Sequence, residues 1–393
     1  MAIATKISKA MEASSWIRKM FEEGAMLKKQ KGEENVYDFT LGNPITEPPD
    51  AFKERLKALA SDDTPGTHAY MPNSGIPWVR EKIAAYLEKK SGIAYTMNQI
   101  VMTVGAAGGL NTILKALMDQ GDEILTFAPF FVEYRFYADN FGGSLKTVPT
   151  TDDFMPDLDQ LKAAITPKTK ALIMNSPNNP TGVIYPESIL KELAAVLTEA
   201  SEKIGHPVYL ISDEPYRKIA FDDAVVPYPS VYYKDTIIIT SHSKDLSIPG
   251  ERIGYIAIHP ESTDAEALSV ATNFTNRILG YVNAPALMQR VVAELQDVPA
   301  DVAGYQKKRD MFYPALVSFG YECVKPMGAF YLFPKAPGGD DVAFIQHLKK
   351  FDILAVPGSG FGAPGYFRLA YCVKDSVIER SLDGFKKAIE SFT

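Results

Sequence analysis

The sequence predicts an α/β protein, a mostly parallel sheet with helices on both faces, together with a smaller α+β domain. Three observations carry that expectation. Seven short apolar runs recur between residues 100 and 258. Helical stretches separate many of them, and strand alternating with helix implies parallel strands covered on both faces. After about residue 280 the texture changes to long helical chain followed by short apolar segments.

The runs are IVMTV (100–104), EILTF (123–127), SLKTV (144–148), KALIM (170–174), VYLIS (208–212), TIIIT (236–240) and IGYIAI (253–258). The clearest helix is PESILKELAAVLTEASEKIG, residues 186–205. Pro186 suits the first turn and Gly205 the stop, and Ile189, Leu190, Leu193, Val196 and Leu197 repeat at helical spacing. Near the start, residues 14–29 read as an amphipathic helix with Trp16, Ile17, Met20, Phe21 and Leu27 on one face. DFTLGNPITEPPD (38–50) is dense in Gly and Pro and reads as irregular chain crossing between domains. Residues 283–319 read as mostly helix, 320–337 as paired strands, and the last 25 or so residues as a strand and a helix. These readings give an N-terminal segment over 1–45 that joins the small domain, a large α/β domain over 46–285 and a small domain over 286–393.

Length and composition narrow the function classes. At 393 residues the chain is long for one simple core, which suggests two domains. An apolar share of 46% and a charged share of 23% fit a soluble globular protein. The net charge of −7 argues against general nucleic-acid binding. The two cysteines, Cys323 and Cys372, have neither metal-type nor disulfide-framework spacing, which fits a reducing compartment. No signal-peptide core and no run of membrane-spanning length is evident, so a cytoplasmic protein is expected.

Chemistry is expected where the unusual residues fall. In open parallel sheets, ligands sit beyond the carboxyl ends of the strands. Four unusual stretches each follow an apolar run directly: GAAGGL (105–110), NSPNNPTG (175–182), DEPY (213–216) and SHSK (241–244). GAAGGL opens a helix, so its bare amides could hold one phosphate; a tight turn with close helix packing is the plainer use. It matches neither the P-loop nor the GxGxxG pattern. Asp213 ends a buried strand and needs a partner such as a protonated ring nitrogen, unless it caps the next segment. Tyr216 could reach the same cavity or simply pack. Asn179 lies in a loop stiffened by Pro177 and Pro180, aimed at a ligand oxygen or spent on a local turn. Lys244 follows a strand end beside Ser241 and Ser243, where a partly apolar, cationic pocket would make it a nucleophile rather than a solvated surface residue. Arg252, in the IPGER turn, could add charge for a phosphate. A phosphate cradle, a buried carboxylate, an amide, a phenol and a lysine together fit pyridoxal 5′-phosphate, which carries a phosphate, a ring nitrogen, a phenolic oxygen and an aldehyde.

The same stretches resemble the fold type I, class I pyridoxal-phosphate aminotransferases, the aspartate aminotransferase family. NSPNNPTG, DEPY, SHSKDLSIPGERIGY, VPGSGFG (356–362) and FRLAY (367–371) stand in that family's order, and LGNP (41–44) and YMPNSGIPWVRE (70–81) also match. The resemblance implies a ping-pong transfer of an amino group between an L-amino acid and a 2-oxo acid such as 2-oxoglutarate. It implies that Lys244 bonds the cofactor aldehyde as a Schiff base and that Asp213 pairs with the ring nitrogen. Tyr216 and Asn179 would then bind the phenolic oxygen, and Phe131 would stack on the ring. Ala106, Ala107, Ser241 and Arg252 would bind the phosphate, joined by Tyr70 from the neighbouring subunit of a homodimer. Arg368 would clamp the substrate α-carboxylate, with Gly42 allowing close backbone approach. Arg277 is a candidate for a distal carboxylate, or a surface helix residue. Other chemistries remain open at this level: a carbon–sulfur lyase on the same fold, or a serine acyl hydrolase using the S-x-x-K pattern of Ser241 and Lys244.

Overall fold

The computed structural model describes residues 3–13 and 15–392, with residues 12, 13 and 15–21 described by backbone alone. All seven apolar runs form strands of one sheet: β1 (Ile100–Thr103), β2 (Glu123–Phe127), β3 (Ser144–Val148), β4 (Thr169–Asn175), β5 (Tyr209–Asp213), β6 (Thr236–Ser241) and β7 (Gly254–Ile258). Their order is β1-β7-β6-β5-β4-β2-β3. β7 runs antiparallel to both neighbours and every other pairing is parallel. Two reversals cancel, so β1 points the same way as β4, β5 and β6. The carboxyl ends of these four strands therefore share one rim.

Alternation along the strands supplies two apolar faces. Ile100, Met102, Ile238, Tyr255 and Ala257 pack on one side with Val79, Ile83, Leu246 and Met288. Val101, Ile237, Ile239, Ile256 and Ile258 pack on the other with Leu110, Ile113 and Leu114 of helix α1 (Gly105–Leu117). Each such fully buried aliphatic side chain contributes roughly 1.5–3 kcal/mol. The helix α3 (Glu187–Ile204) is bounded as expected, by Pro186 and by Gly205 in the left-handed region at φ 81°.

The chain divides into two compact units. One holds Pro44–Gly304 and Pro326–Ala329; the other holds Met1–Asn43, Tyr305–Lys325 and Phe330–Thr393. The division differs from the sequence-drawn boundary at 285/286. The helix Ala286–Val292 belongs to the large unit because Met288, Val291, Val292 and Leu295 complete the core beneath β1 and β7. Gln289 also accepts a hydrogen bond from the Ile76 amide there, at 2.9 Å. Residues 326–329 join the large unit through main-chain bonds from Phe221 N–H to Met327 O and from Ala329 N–H to Ile219 O.

In the smaller unit, Tyr37–Asp38 pairs in parallel with Ile353–Leu354. Phe367–Ala370 is the centre of a three-stranded antiparallel sheet, between Val356–Pro357 and Tyr331–Leu332. Phe39, Phe312 and Phe385 cluster with ring centroids 5.1–5.9 Å apart. One expectation holds in outline and one is corrected. The 283–319 stretch is two helices, Ala286–Val292 and Val302–Ser318, separated by a segment that contains Pro299. Residues 320–337 form no strand ladder of their own: Tyr331–Leu332 takes its partner from Leu369–Ala370, although the Lys335 amide donates back to the Glu322 carbonyl at 2.8 Å. The helix expected near the start exists as Ser15–Lys31, but the side chains of Trp16, Ile17, Met20 and Phe21 lie outside the described residues. Among the described residues, no helix is long and apolar enough to cross a membrane.

Candidate active site

The rim is braced by its own polar residues. β4 ends on Asn175 and β5 on Asp213, which are register partners. Asn175 Nδ2 donates to the Asp213 carbonyl at 2.8 Å, and Asn175 Oδ1 accepts from the Asn179 amide at 2.7 Å. Asn179 is thereby fixed beside the end of β5. Asn175 itself was not singled out in the sequence, since a strand-terminal Asn reads as an ordinary turn residue. Thr240 Oγ1 donates to the Glu214 carbonyl and the Glu214 amide to Ile239, which lock β5 to β6 at the same level.

Asp213 is 5% exposed. Its Oδ2 accepts a 2.5 Å hydrogen bond from the Tyr134 hydroxyl. Its Oδ1 is buried and has no hydrogen-bond partner among the described residues. Burial pushes this carboxyl up to about 7; the Tyr134 bond pulls it down and the neighbouring Glu214 charge pushes it up again. A buried carboxylate with one unmatched oxygen is costly unless a cationic donor completes it. Tyr134 opens a short helix, α2 (Tyr134–Asp139), and meets the Phe131 ring edge-on at 5.6 Å. Tyr216 is buried.

The anion-binding part of the rim forms around the start of α1. Gly105 has φ 79° and Arg252 has φ 52°, both in the left-handed region. Arg252 donates to the Val104 carbonyl at 3.2 Å and to the Pro249 carbonyl at 3.0 Å. A Cβ on Gly105 would lie 2.8 Å from the Arg252 guanidinium, so glycine is what lets the two approach. Ala106 and Ala107 follow, half-buried, with the free amides of the first helical turn. Ser241 Oγ donates to Ser243 Oγ at 3.2 Å. A Cβ on Gly254 would meet Thr240 O at 2.3 Å, Ser241 Cα at 3.1 Å and Gly105 C at 3.2 Å, which shows how closely β6, β7 and α1 converge. Burial raises the Tyr137 phenol; the Glu133 and Asp213 charges raise it further and Arg252 lowers it.

Lys244 is half-buried in the turn directly after β6. Its neighbours His242 and Asp245 are buried. Asp245 Oδ2 lies 3.0 Å from Lys218 Nζ and 3.2 Å from His242 Nδ1. Burial alone would raise the Asp245 carboxyl; His242 and Lys218 outweigh it and hold it at about 2. Gln296 Nε2 lies 3.2 Å from His242 Nε2. The turn that carries Lys244 is thus pinned from below. His242 and Asp245 were legible only as spacers in the sequence.

Other expected residues are placed differently. Tyr70 is 91% exposed and is not gathered into this rim. Arg277 is exposed on the helix Ala265–Ile278, its guanidinium 5.1 Å from the Phe274 ring. Gly42 and Arg368 belong to the smaller unit. There Arg368 donates to the Thr40 carbonyl at 2.6 Å and lies between the Tyr331 and Phe361 rings, at 4.8 and 4.7 Å. A Cβ on Gly42 would fall 2.0 Å from the Tyr331 hydroxyl.

Known proteins share this fold. Residues 34–385 match the family described as aminotransferase class I and II. This chain belongs to that family. The aspartate/prephenate aminotransferase of Thermus thermophilus is 32% identical over 89% of this chain and 90% of its own length. The aspartate aminotransferase of Geobacillus stearothermophilus is 32% identical over 91% and 92%. An aminotransferase of Eubacterium rectale has a solved structure that superposes with a TM-score of 0.96, at 38% identity and over the full length of both chains. The chain is a pyridoxal-phosphate-dependent aminotransferase with the expected α/β fold. The aminotransferase's own residues fit that cofactor: the unmatched Asp213 oxygen suits a protonated ring nitrogen, and the amides of Ala106 and Ala107 with Arg252 suit a phosphate.

Proposed function

We propose that this aminotransferase takes its amino group from L-aspartate and passes it to 2-oxoglutarate, with Lys244 as the reacting amine. The unmatched, buried oxygen of Asp213 carries the reading of the site, because it asks for a cationic ring nitrogen at the rim that also holds Lys244 and an anion cradle. The names of the Thermus and Geobacillus relatives support aspartate as donor.

The bound cofactor supplies an electron sink for the charge left when the substrate α-carbon loses its proton. The protein's part follows from its residues. Asp213 holds the ring nitrogen protonated, Asn179 and Tyr216 donate to the phenolic oxygen, and Phe131 covers the ring. The amides of Ala106 and Ala107, with Ser241 and Arg252, bind the phosphate. Lys244 Nζ accepts the α-proton and returns it as general base and acid. Arg368 orients the substrate by pairing its planar fork with the α-carboxylate, with Gly42 leaving room for close approach. Two subunits complete each other's sites, Tyr70 reaching the neighbour's phosphate, and the enzyme works in the cytoplasm.

Lys244→Ala tests the assignment. Single-turnover transfer should fall by at least about 10²–10⁴-fold, the usual share of general acid–base catalysis. Fold and binding of pyridoxamine phosphate, which has no aldehyde to capture, should persist. Near-normal turnover would reject Lys244. A panel of amino donors with 2-oxoglutarate decides the substrate. A new 2-oxo acid without ammonia release separates transfer from carbon–sulfur lysis.

A further inference from the structure

We infer that Tyr134 is a positioning residue for the cofactor's ring nitrogen: it engages one oxygen of Asp213 and so reserves the other for the ring. The inference rests on the reading of Asp213 as the ring nitrogen's partner and adds a residue to it.

The two oxygens of Asp213 have unequal surroundings. Oδ2 accepts from the Tyr134 hydroxyl at 2.5 Å, whereas Oδ1 is buried with no hydrogen-bond partner among the described residues. The direction of the Tyr134 bond is fixed. Burial and the adjacent Asp213 charge hold the phenol well above its ordinary range, so it remains a donor. A donor on Oδ2 favours the ionised carboxylate in a place where burial favours the neutral acid. It also holds the plane of the carboxylate, by anchoring one of its two oxygens. Without the hydroxyl, Asp213 could hold a proton itself or rotate, and either change would weaken a charge-assisted bond at Oδ1. A tyrosine needed only for packing would not place its hydroxyl on this carboxylate. Its ring is already 0% exposed and braced edge-on by Phe131.

Tyr134→Phe keeps the ring and its contact with Phe131 and removes only the hydroxyl. The probes are pyridoxamine phosphate and its 1-deaza analogue, in which carbon replaces the ring nitrogen; neither can bond Lys244 covalently. Dissociation constants are measured by titration of the full-length apo-protein. Pyridoxamine phosphate should bind about tenfold or more weakly to Tyr134→Phe, as expected for loss of a hydrogen bond to a charged group. Binding of the deaza analogue should be unchanged, which also shows an intact site. In an Asp213→Asn background, Tyr134→Phe should have no further effect. Replacing Tyr134 by 3-fluorotyrosine, a stronger donor of nearly the same shape, should tighten pyridoxamine phosphate selectively and does not depend on the phenylalanine variant folding. Equal weakening of both probes, or normal binding of both, overturns the role of Tyr134. If Asp213→Asn weakens both probes equally, or neither, the underlying reading of Asp213 falls, and the inference falls with it.

Discussion

Asp213 links chemistry to stability at the level of a single residue. Its carboxyl ionises near 7 in the folded apo-protein against an ordinary 3.8. Below the ordinary value both folded and unfolded chains are protonated and the residue is neutral in effect. As pH rises above it, the unfolded chain ionises first, so the fold is progressively disfavoured until the folded group also ionises near 7. Between pH 5 and 8 the apo-protein should lose about 2–3 kcal/mol from this group. Asp213→Asn should remove that loss, and urea denaturation of both apo-proteins at the two pH values checks it; parallel curves would refute it. Asp213 and Lys244 were legible in the sequence because polar residues interrupt apolar strands at fixed places. Tyr134 was not, because a tyrosine in APFFVEY is indistinguishable from core until its hydroxyl is seen to face a carboxylate.

The elements explain why this rim is so tightly drawn. Because β7 runs against its neighbours, the chain returns from the turn after β6 and delivers Arg252 to the same rim as Lys244. Gly254 makes the return possible, since any side chain there would strike the Thr240 carbonyl and crowd Ser241 and Gly105. Gly254→Ala should therefore cost stability, on the order of 1–3 kcal/mol for overpacking. It should also weaken inorganic phosphate as a competitor of cofactor binding, whereas Gly205→Ala, remote at a helix end, should affect stability alone. Thermal unfolding and phosphate titration separate the two. The seven strands were readable because each is a short, continuous apolar run. The pairing of Tyr331–Leu332 with Leu369–Ala370 was not, because periodicity shows that a segment is extended but does not name its partner.

At the scale of the whole molecule, the proposed pairing of subunits has a direct test. In a dimer with one Tyr70→Ala chain and one Lys244→Ala chain, one site carries both defects and the other neither. Co-expressed variants should regain activity that each lacks alone, and no recovery would reject shared sites. Tyr70 is 91% exposed in the single chain. The domain limits were only partly legible. The change of texture near residue 280 marks helix-rich chain, but which core a helix joins depends on contacts such as those of Met288 and Val292, made by residues far apart in sequence.

The pairing of Tyr37–Asp38 with Ile353–Leu354 spans more than three hundred residues. On a ribosome adding roughly 5–20 residues per second, the first partner waits on the order of fifteen seconds to a minute for the second. The early segment must stay accessible throughout that interval, while the sheet of the large unit assembles downstream of it. Until Ile353–Leu354 emerges, the unpaired strand leaves newly made chains open to proteases and to one another.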